Sequence, residues 1–208
     1  MPSAVVRLSM CFQLALVFIG MYAWAPAHAG CNGEKPYPEE SFPTIRFETT
    51  MGVIDVELDR ERAPLTVDNF LRYVKAGRYD NTIFHRVMPG FVVQGGGYTP
   101  QLKTIPQCAP VVNESGNGLR NDEGTIAMAR FDAPHSATSQ FYFNLGDNDS
   151  LNPNPKRWGY AVFGYVTEGM DVLKKIAAVK TGYSDQLDAD NVPQQPVILK
   201  KAFLLTGE

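Results

Sequence analysis

Two stretches of the chain combine residue types that could act on a polar group. In FHRVMPGFVVQGGG, residues 84–97, an arginine and a glutamine interrupt a run that otherwise reads as buried strand. Strand alternation puts Val92 and Gln94 on one face, and a tight turn at Pro89-Gly90 would carry Arg86 back beside them. In GTIAMARFDAPHSATSQFYFNL, residues 124–145, Met128, Gln140 and Tyr142 are the complementary residues. Together they describe an apolar pocket with one permanent cation and two amides, lacking a nucleophile and a proton carrier. Such a site orients and polarises; it does not cut. A guanidinium is always charged, and burying it without partners is costly, so something must use that charge or hold it. Taken alone, an arginine in a strand reads as half of a surface ion pair.

Other chemistries find little support. Beyond residue 30 the histidines are His85 and His135, neither with a second histidine at metal-ligand spacing, and no C-x-x-C or H-E-x-x-H occurs. QGGG has neither the G-x-G-x-x-G pattern nor a P-loop lysine, and no serine sits in G-x-S-x-G. His85 reads as a hydrogen-bonded strand residue and His135 as a solvated loop residue. Asp147 and Asp149, in a Gly/Asn loop, read as turn formers. No metal or cofactor is expected.

The elements that must position these residues are mostly short strands. IRFETTMGVIDVELD alternates apolar and polar residues on both sides of Met51-Gly52 and predicts a hairpin. APLTVDNFLRYVKAGRYD spaces Val67, Phe70, Leu71 and Val74 as one helix face, with Thr66 as N-cap and Gly77 as stop. Strand-like runs follow at TIFHRV, GFVVQG, GTIAMA, SQFYFNL and AVFGYV, then a second helix at EGMDVLKKIAAV and a last strand at PVILKKAFLL. Many short strands with few helices point to a closed barrel or a sandwich.

The motifs FHRVMPGFVVQGG, NGLRNDEGTIAMAR, SATSQFYFNL and GYAVFGYVTEGMDVLKKI, in that order, strongly resemble the cyclophilin family of peptidyl-prolyl cis/trans isomerases, and the resemblance runs from Ile45 to Leu205. It implies a mainly β fold, a closed eight-stranded antiparallel barrel capped by two α-helices, with the substrate groove outside. It implies that Arg86 is the catalytic arginine and that Gln94 and Gln140 hold it and bind substrate. Phe91, Val92, Met128, Tyr142 and Leu151 match the proline pocket, and Ala129 with Arg130 matches the segment that pairs with the peptide. Tyr160 stands where many eukaryotic members have histidine. Two positions depart from the family pattern: Tyr142 replaces the usual phenylalanine, so its hydroxyl needs a partner, and Ser150 replaces an aromatic residue, which implies weak cyclosporin binding. The expected partners are proline-containing polypeptides. The alternative function is a binding or chaperone module that holds prolyl segments without turning them over; the presence of Arg86, Phe91 and Gln94 favours the enzyme.

The remaining features concern the ends and the setting. Residues 1–29 carry one charged side chain, Arg7, then an apolar run and an A-x-A site before Gly30, which predicts a cleaved secretory signal and export to the periplasm. Residues 30–44, mixing Pro, Gly and charge, read as a flexible linker before an isomerase domain over 45–208. Loss of Arg7 moves the formal charge from -3 to -4, which excludes bulk attraction to nucleic acid or anionic membrane. No retained membrane span and a monomer are expected. Cys31 and Cys108 leave three readings open: a disulfide suited to an oxidising compartment, a free Cys31 on a loose end, or a lipid anchor at Cys31, ranked lower because His28 replaces the usual aliphatic residue.

Overall fold

The computed structural model of the chain describes Cys31 and residues 35–205, so the expected signal segment lies outside the described residues. The predicted hairpin forms as β1 (Thr44–Thr49) and β2 (Val53–Leu58), with Arg46 directly opposite Asp55 and bonded to both carboxylate oxygens at 2.9 and 2.7 Å. After α1 (Pro64–Lys75) come β3 (Thr82–Phe84), β4 (Arg86–Met88), β5 (Val92–Gly95), β6 (Thr125–Met128) and β7 (Phe141–Asn144). A 3₁₀ turn (Asp149–Leu151), β8 (Val162–Glu168), α2 (Met170–Ala177), β9 (Thr181–Ser184), β10 (Ala189–Pro193) and β11 (Val197–Leu204) complete the order. Asp149 begins the 3₁₀ turn, while its pairing with Arg120 and the bond from the Glu123 amide to Asp147 at 3.0 Å also tie this loop to residues 120–123.

The sheet runs β3-β11-β1-β2-β8-β6-β7-β5-β4, antiparallel throughout, and its two ends are one piece of chain. TIFHRV was expected as a single strand; it bends at His85 so that its first half pairs with β11 and its second half with β5. The His85 amide still donates to the Gln94 carbonyl at 3.0 Å, and the Ile83 amide to Tyr98 at 3.0 Å. The sheet therefore closes on itself, and counting β3 and β4 as one bent strand gives an eight-stranded barrel. The barrel is nearly closed: among the described strands of this sheet only the short β3 and β4 keep a side without a sheet partner.

Aromatic rings fill the interior. Phe47 of β1 packs edge-on against Phe141 and Phe143 of β7, and Phe70 of α1 reaches Phe47, Tyr79, Phe141 and Phe163 with ring centroids 5.1–6.1 Å apart. Val67, Leu71 and Val74 bury the predicted face of α1; of the face expected for α2, Met170, Leu173, Ile176 and Ala177, the structure buries Leu173 and Ile176 and adds Val172, leaving Met170 and Ala177 half-buried. The start of α1 differs from the sequence expectation. Thr66 lies inside the first turn, preceded by Ala63 as cap residue and Pro64. The capping acceptor is Glu114, whose carboxylate takes the Leu65 and Thr66 amides and the Thr66 hydroxyl at 3.2, 2.8 and 2.7 Å. A carboxylate at a helix N-terminus meets both the unpaired N–H groups and the positive end of the dipole. Gly77 ends the helix as expected, at a φ of +62° that favours glycine.

The β9-β10 hairpin was not anticipated; its polar, half-exposed sequence carries no strand alternation that composition could reveal. Residues 35–43, within the expected linker, lie against Arg60. Arg60, buried and paired with Asp68 at 3.0 Å, donates to the carbonyls of Tyr37 at 2.7 Å, Pro36 at 2.6 Å and Glu40. A buried guanidinium needs acceptors on all its donors, and the Pro-rich strap supplies them with backbone carbonyls. Cys31 is disulfide-bonded to Cys108, beside Arg78, whose Nη1 donates to the Cys31 sulfur at 3.1 Å and to the Pro106 carbonyl at 3.2 Å. This settles the three readings of Cys31 in favour of the bridge.

The bridge closes a loop of 77 residues, for which loss of unfolded-state entropy alone corresponds to about 4 kcal/mol. Cys108→Ser should therefore lower the denaturant midpoint well below wild type, and a dithiol reductant should lower the wild type to match. A mutant midpoint equal to that of the oxidised wild type would show that the bridge adds no stability.

Candidate active site

The register of four neighbouring strand pairs generates the site. Arg86 on β4 lies opposite Gln94 on β5, Gln94 opposite Tyr142 on β7, Tyr142 opposite Ala127 on β6, and Ala127 opposite Val162 on β8. Directly paired residues share a sheet face, so these five form one transverse row. The adjacent row, Val87, Val93, Phe143 and Ile126, points the other way and joins the interior core. A second, smaller apolar cluster is built on the outer row: Val92, Ala127, Tyr142 and Val162 are buried, with Phe91, Leu119, Ala129, Leu151 and Tyr160 packed against them.

At one end of the row Arg86 Nη1 donates to Gln94 Oε1 at 3.3 Å, and Gln94 Nε2 donates to Gln140 Oε1 at 2.8 Å. The cation is thus oriented by a relay of two neutral amides. Among the described residues no carboxylate lies within ion-pair distance of Arg86, so the surface ion-pair reading does not hold. The QGGG motif explains how the relay fits. A Cβ on Gly97 would come within 2.8 Å of the Gln140 amide, and one on Gly96 within 2.9 Å of the Ser139 carbonyl, with Gly96 at a φ of +77°. These glycines allow the chain to pass beneath Gln140, which is a packing role and not a phosphate cradle.

The structure brings together Arg86, Gln94 and Gln140, and beside them Phe91, Val92, Ala129, Tyr142, Leu151 and Tyr160. Arg130 borders the same cluster: its guanidinium lies 4.7 Å from the Tyr160 ring centre and donates to the carbonyls of Phe131, Asp132, Trp158 and Gly159 at 2.7–3.2 Å. Met128 is not among them. It pairs with Phe141 and is buried in the interior core, because its position has the opposite strand parity to Ala127. Only the pairing of β6 with β7 reveals that parity.

Sequence reasoning missed the support beneath the pocket. The Tyr142 hydroxyl, raised well above its ordinary pKa by burial, donates to Asn121 Oδ1 at 2.7 Å. Asn121 receives Asn144 Nδ2 at 3.3 Å and donates through its own amide nitrogens to Asn152 and to the Tyr160 carbonyl. Asn148 continues the network by donating to Asn144 at 2.7 Å and to the Phe91 carbonyl at 2.9 Å. The hydroxyl that Tyr142 adds is therefore directed away from the pocket and satisfied. Nothing in an isolated asparagine signals such a role; its position inside NGLRNDEGTIAMAR is the one available hint.

The fold and this site agree with what the chain is similar to. Residues 44–202 match the family described as Cyclophilin type peptidyl-prolyl cis-trans isomerase/CLD. The chain belongs to the cyclophilin-type peptidyl-prolyl cis-trans isomerases and is an isomerase of that class. It is 52% identical over 165 residues to peptidyl-prolyl cis-trans isomerase cyp18 of Streptomyces antibioticus, covering 78% of this chain and 98% of that one. Against peptidyl-prolyl cis-trans isomerase B of Escherichia coli it is 48% identical over 159 residues, covering 75% and 96%. A crystal structure of a Cryptosporidium parvum cyclophilin-type isomerase superposes with a TM-score of 0.65 at 25% identity, covering 80% of this chain and 99% of that one.

His85, at the bend that closes the barrel, is buried, and its Nδ1 has no hydrogen-bond partner among the described residues. Burial, with the Arg86 charge adding to it, lowers its pKa from 6.5 to about 4, against a raising contribution from Gln140. Between those values the unfolded chain binds a proton that the folded chain refuses. Stability from this group is complete above pH 6.5 and falls as pH drops towards 4, by about 3 kcal/mol in all. His85→Gln should flatten that part of the stability profile, measured by urea unfolding at pH 7.5 and 4.5. Equal acid sensitivity in both proteins would contradict the assignment.

Proposed function

We propose that this isomerase rotates X-Pro bonds by non-covalent stabilisation of the twisted imide, with Arg86 as the catalytic donor. The barrier arises because the nitrogen lone pair is delocalised into the carbonyl, and it amounts to about 18–20 kcal/mol. Twisting localises that pair on nitrogen. A guanidinium placed beside the proline ring donates to the nitrogen more strongly in the twisted state than in the planar one, and only such a difference accelerates rotation. Gln94 holds the guanidinium through the bond at 3.3 Å, and Gln140 holds Gln94 at 2.8 Å. The outer cluster of Phe91, Val92, Tyr142, Leu151 and Tyr160 receives the ring while the acyl side turns. The segment Ala129-Arg130, whose Ala129 amide is already bonded to Gln140, presents backbone for the extended peptide.

The observation that carries this reading is the relay itself, a cation held by two neutral amides on the rim of an apolar pocket. No step needs a metal, a nucleophile or a titrating group. The substrates are proline-containing segments of exported proteins, reached after cleavage before Gly30. The disulfide supports an oxidising setting, in which such bonds persist.

Arg86→Ala should keep the wild-type unfolding midpoint and lower kcat/KM for cis-to-trans conversion of an Ala-Pro-Phe peptide by roughly 100-fold or more. Near-normal turnover in the folded mutant would remove Arg86 from the mechanism. For processing, amino-terminal sequencing of the chain recovered from a periplasmic extract should begin at Gly30. An intact Met1 on that material would overturn the signal assignment.

A further inference from the structure

Asn121 is fully buried, and its hydrogen bonds run to several sides of the outer apolar cluster. Its Oδ1 accepts from the Tyr142 hydroxyl at 2.7 Å and from Asn144 Nδ2 at 3.3 Å. Its backbone amide and its Nδ2 both donate to Asn152 Oδ1, at 2.8 and 3.1 Å, and Nδ2 also reaches the Tyr160 carbonyl at 3.3 Å. The Asn121 carbonyl accepts from the Asn148 amide at 2.8 Å, and Asn148 Nδ2 in turn donates to the Phe91 carbonyl at 2.9 Å. Leu151, beside Asn152, is fixed from both directions: its amide donates to the Asn148 carbonyl at 2.8 Å, and its carbonyl accepts from the Tyr160 amide at 3.0 Å. Tyr142, Tyr160, Leu151 and Phe91 come from separate segments of chain, and Asn121 is common to their supports. Moving any of these walls outward breaks a bond to a buried polar group, and a buried donor or acceptor left unpaired is costly. The pocket therefore resists widening more than an apolar cluster held by packing alone.

We propose that Asn121 is a positioning residue that, through the Tyr142 hydroxyl, holds the pocket to the width of a proline ring and so excludes larger cyclic imino acids. This deepens the isomerase reading above and rests on it. Asn121 has no exposed surface with which to touch a substrate, so its effect is carried by Tyr142, the pocket side chain it binds directly. An apolar pocket that can give discriminates poorly against an added methylene; one that cannot give must displace a bonded wall to admit it. The phenylalanine usual at position 142 lacks the hydroxyl on which this restraint depends. The Arg86 relay is made by Gln94 and Gln140, so the restraint acts on the choice of ring and not on the donor.

The test uses the full protein and an Ala-Pro-Phe peptide beside its homologue with pipecolic acid, whose ring is larger by one methylene, in place of proline, with cis/trans exchange followed by NMR. Wild type should favour the prolyl peptide by roughly tenfold or more in kcat/KM. Tyr142→Phe keeps the ring and leaves Asn121 Oδ1 its bond from Asn144, so it should fold, and it should reduce the preference to about threefold or less. Asn121→Ala should reduce it as far, and the double variant no further, because the two residues act in series. A merely structural Asn121 would lower the unfolding midpoint and slow both peptides alike. An unchanged preference in folded Tyr142→Phe or folded Asn121→Ala, or no preference in wild type, therefore overturns the inference while the isomerase reading stands. If Asn121→Ala does not fold, Tyr142→Phe alone decides. If wild type accelerates neither peptide, the isomerase reading falls and this inference with it.

Discussion

Strand register is the constraint on which the rest of the molecule depends. Because successive side chains in a strand point to opposite faces, fixing the pairing of β4, β5, β7 and β6 assigns every residue of that wall to the core or to the groove. Val87, Val93, Phe143 and Ile126 close the interior, and that same choice sends Arg86, Gln94, Tyr142 and Ala127 outward. A slip of one residue would bury the guanidinium among phenylalanines and expose the core. The energetics that stabilise the barrel therefore also enforce the geometry of the site. Closure through His85 reinforces the register, since the bent strand must satisfy β11 and β5 at once.

The electrostatics of the site follow from the choice of neutral partners. A carboxylate beside Arg86 would pair with it and occupy its donors. An amide oxygen orients the guanidinium while leaving its charge uncompensated and most of its donors unoccupied by the described residues. Arg60, Arg46 and Arg130 show the other uses of the same residue type. Arg60 is buried against Asp68 and backbone carbonyls, Arg46 is locked on Asp55, and Arg130 is spread over four carbonyls and a tyrosine ring. The donors of those three are occupied, whereas Arg86 makes one side-chain hydrogen bond among the described residues, the long contact to Gln94.

Rigidity around the groove comes from polar connections between loops. The asparagine network ties Tyr142 to the loops at 121, 148 and 152, and Phe91 is held through its carbonyl. Glu114 ties a long loop to α1, and the disulfide ties the strap to the loop at 108. Buried polar networks specify one arrangement when every member is satisfied, which suits a pocket that must keep one shape.

By itself the sequence determined most of the elements and the class of protein. Alternation gave the hairpin and most of the strands, helical spacing gave the face of α1 and part of that of α2, and the motif FHRVMPGFVVQGGG gave Arg86, Gln94 and the apolar residues around them. These are local signals, written in periods of two and 3.6 residues. The tertiary structure alone decided what depends on contacts between distant segments. It showed that Met128 faces inward, that Glu114 and not Thr66 caps α1, that residues 35–43 are held by Arg60, that Cys31 and Cys108 are joined, and that Asn121 supports Tyr142. Each of these joins residues that are remote in sequence or sets a parity by pairing with another strand, and no local period encodes which remote partner a side chain will meet.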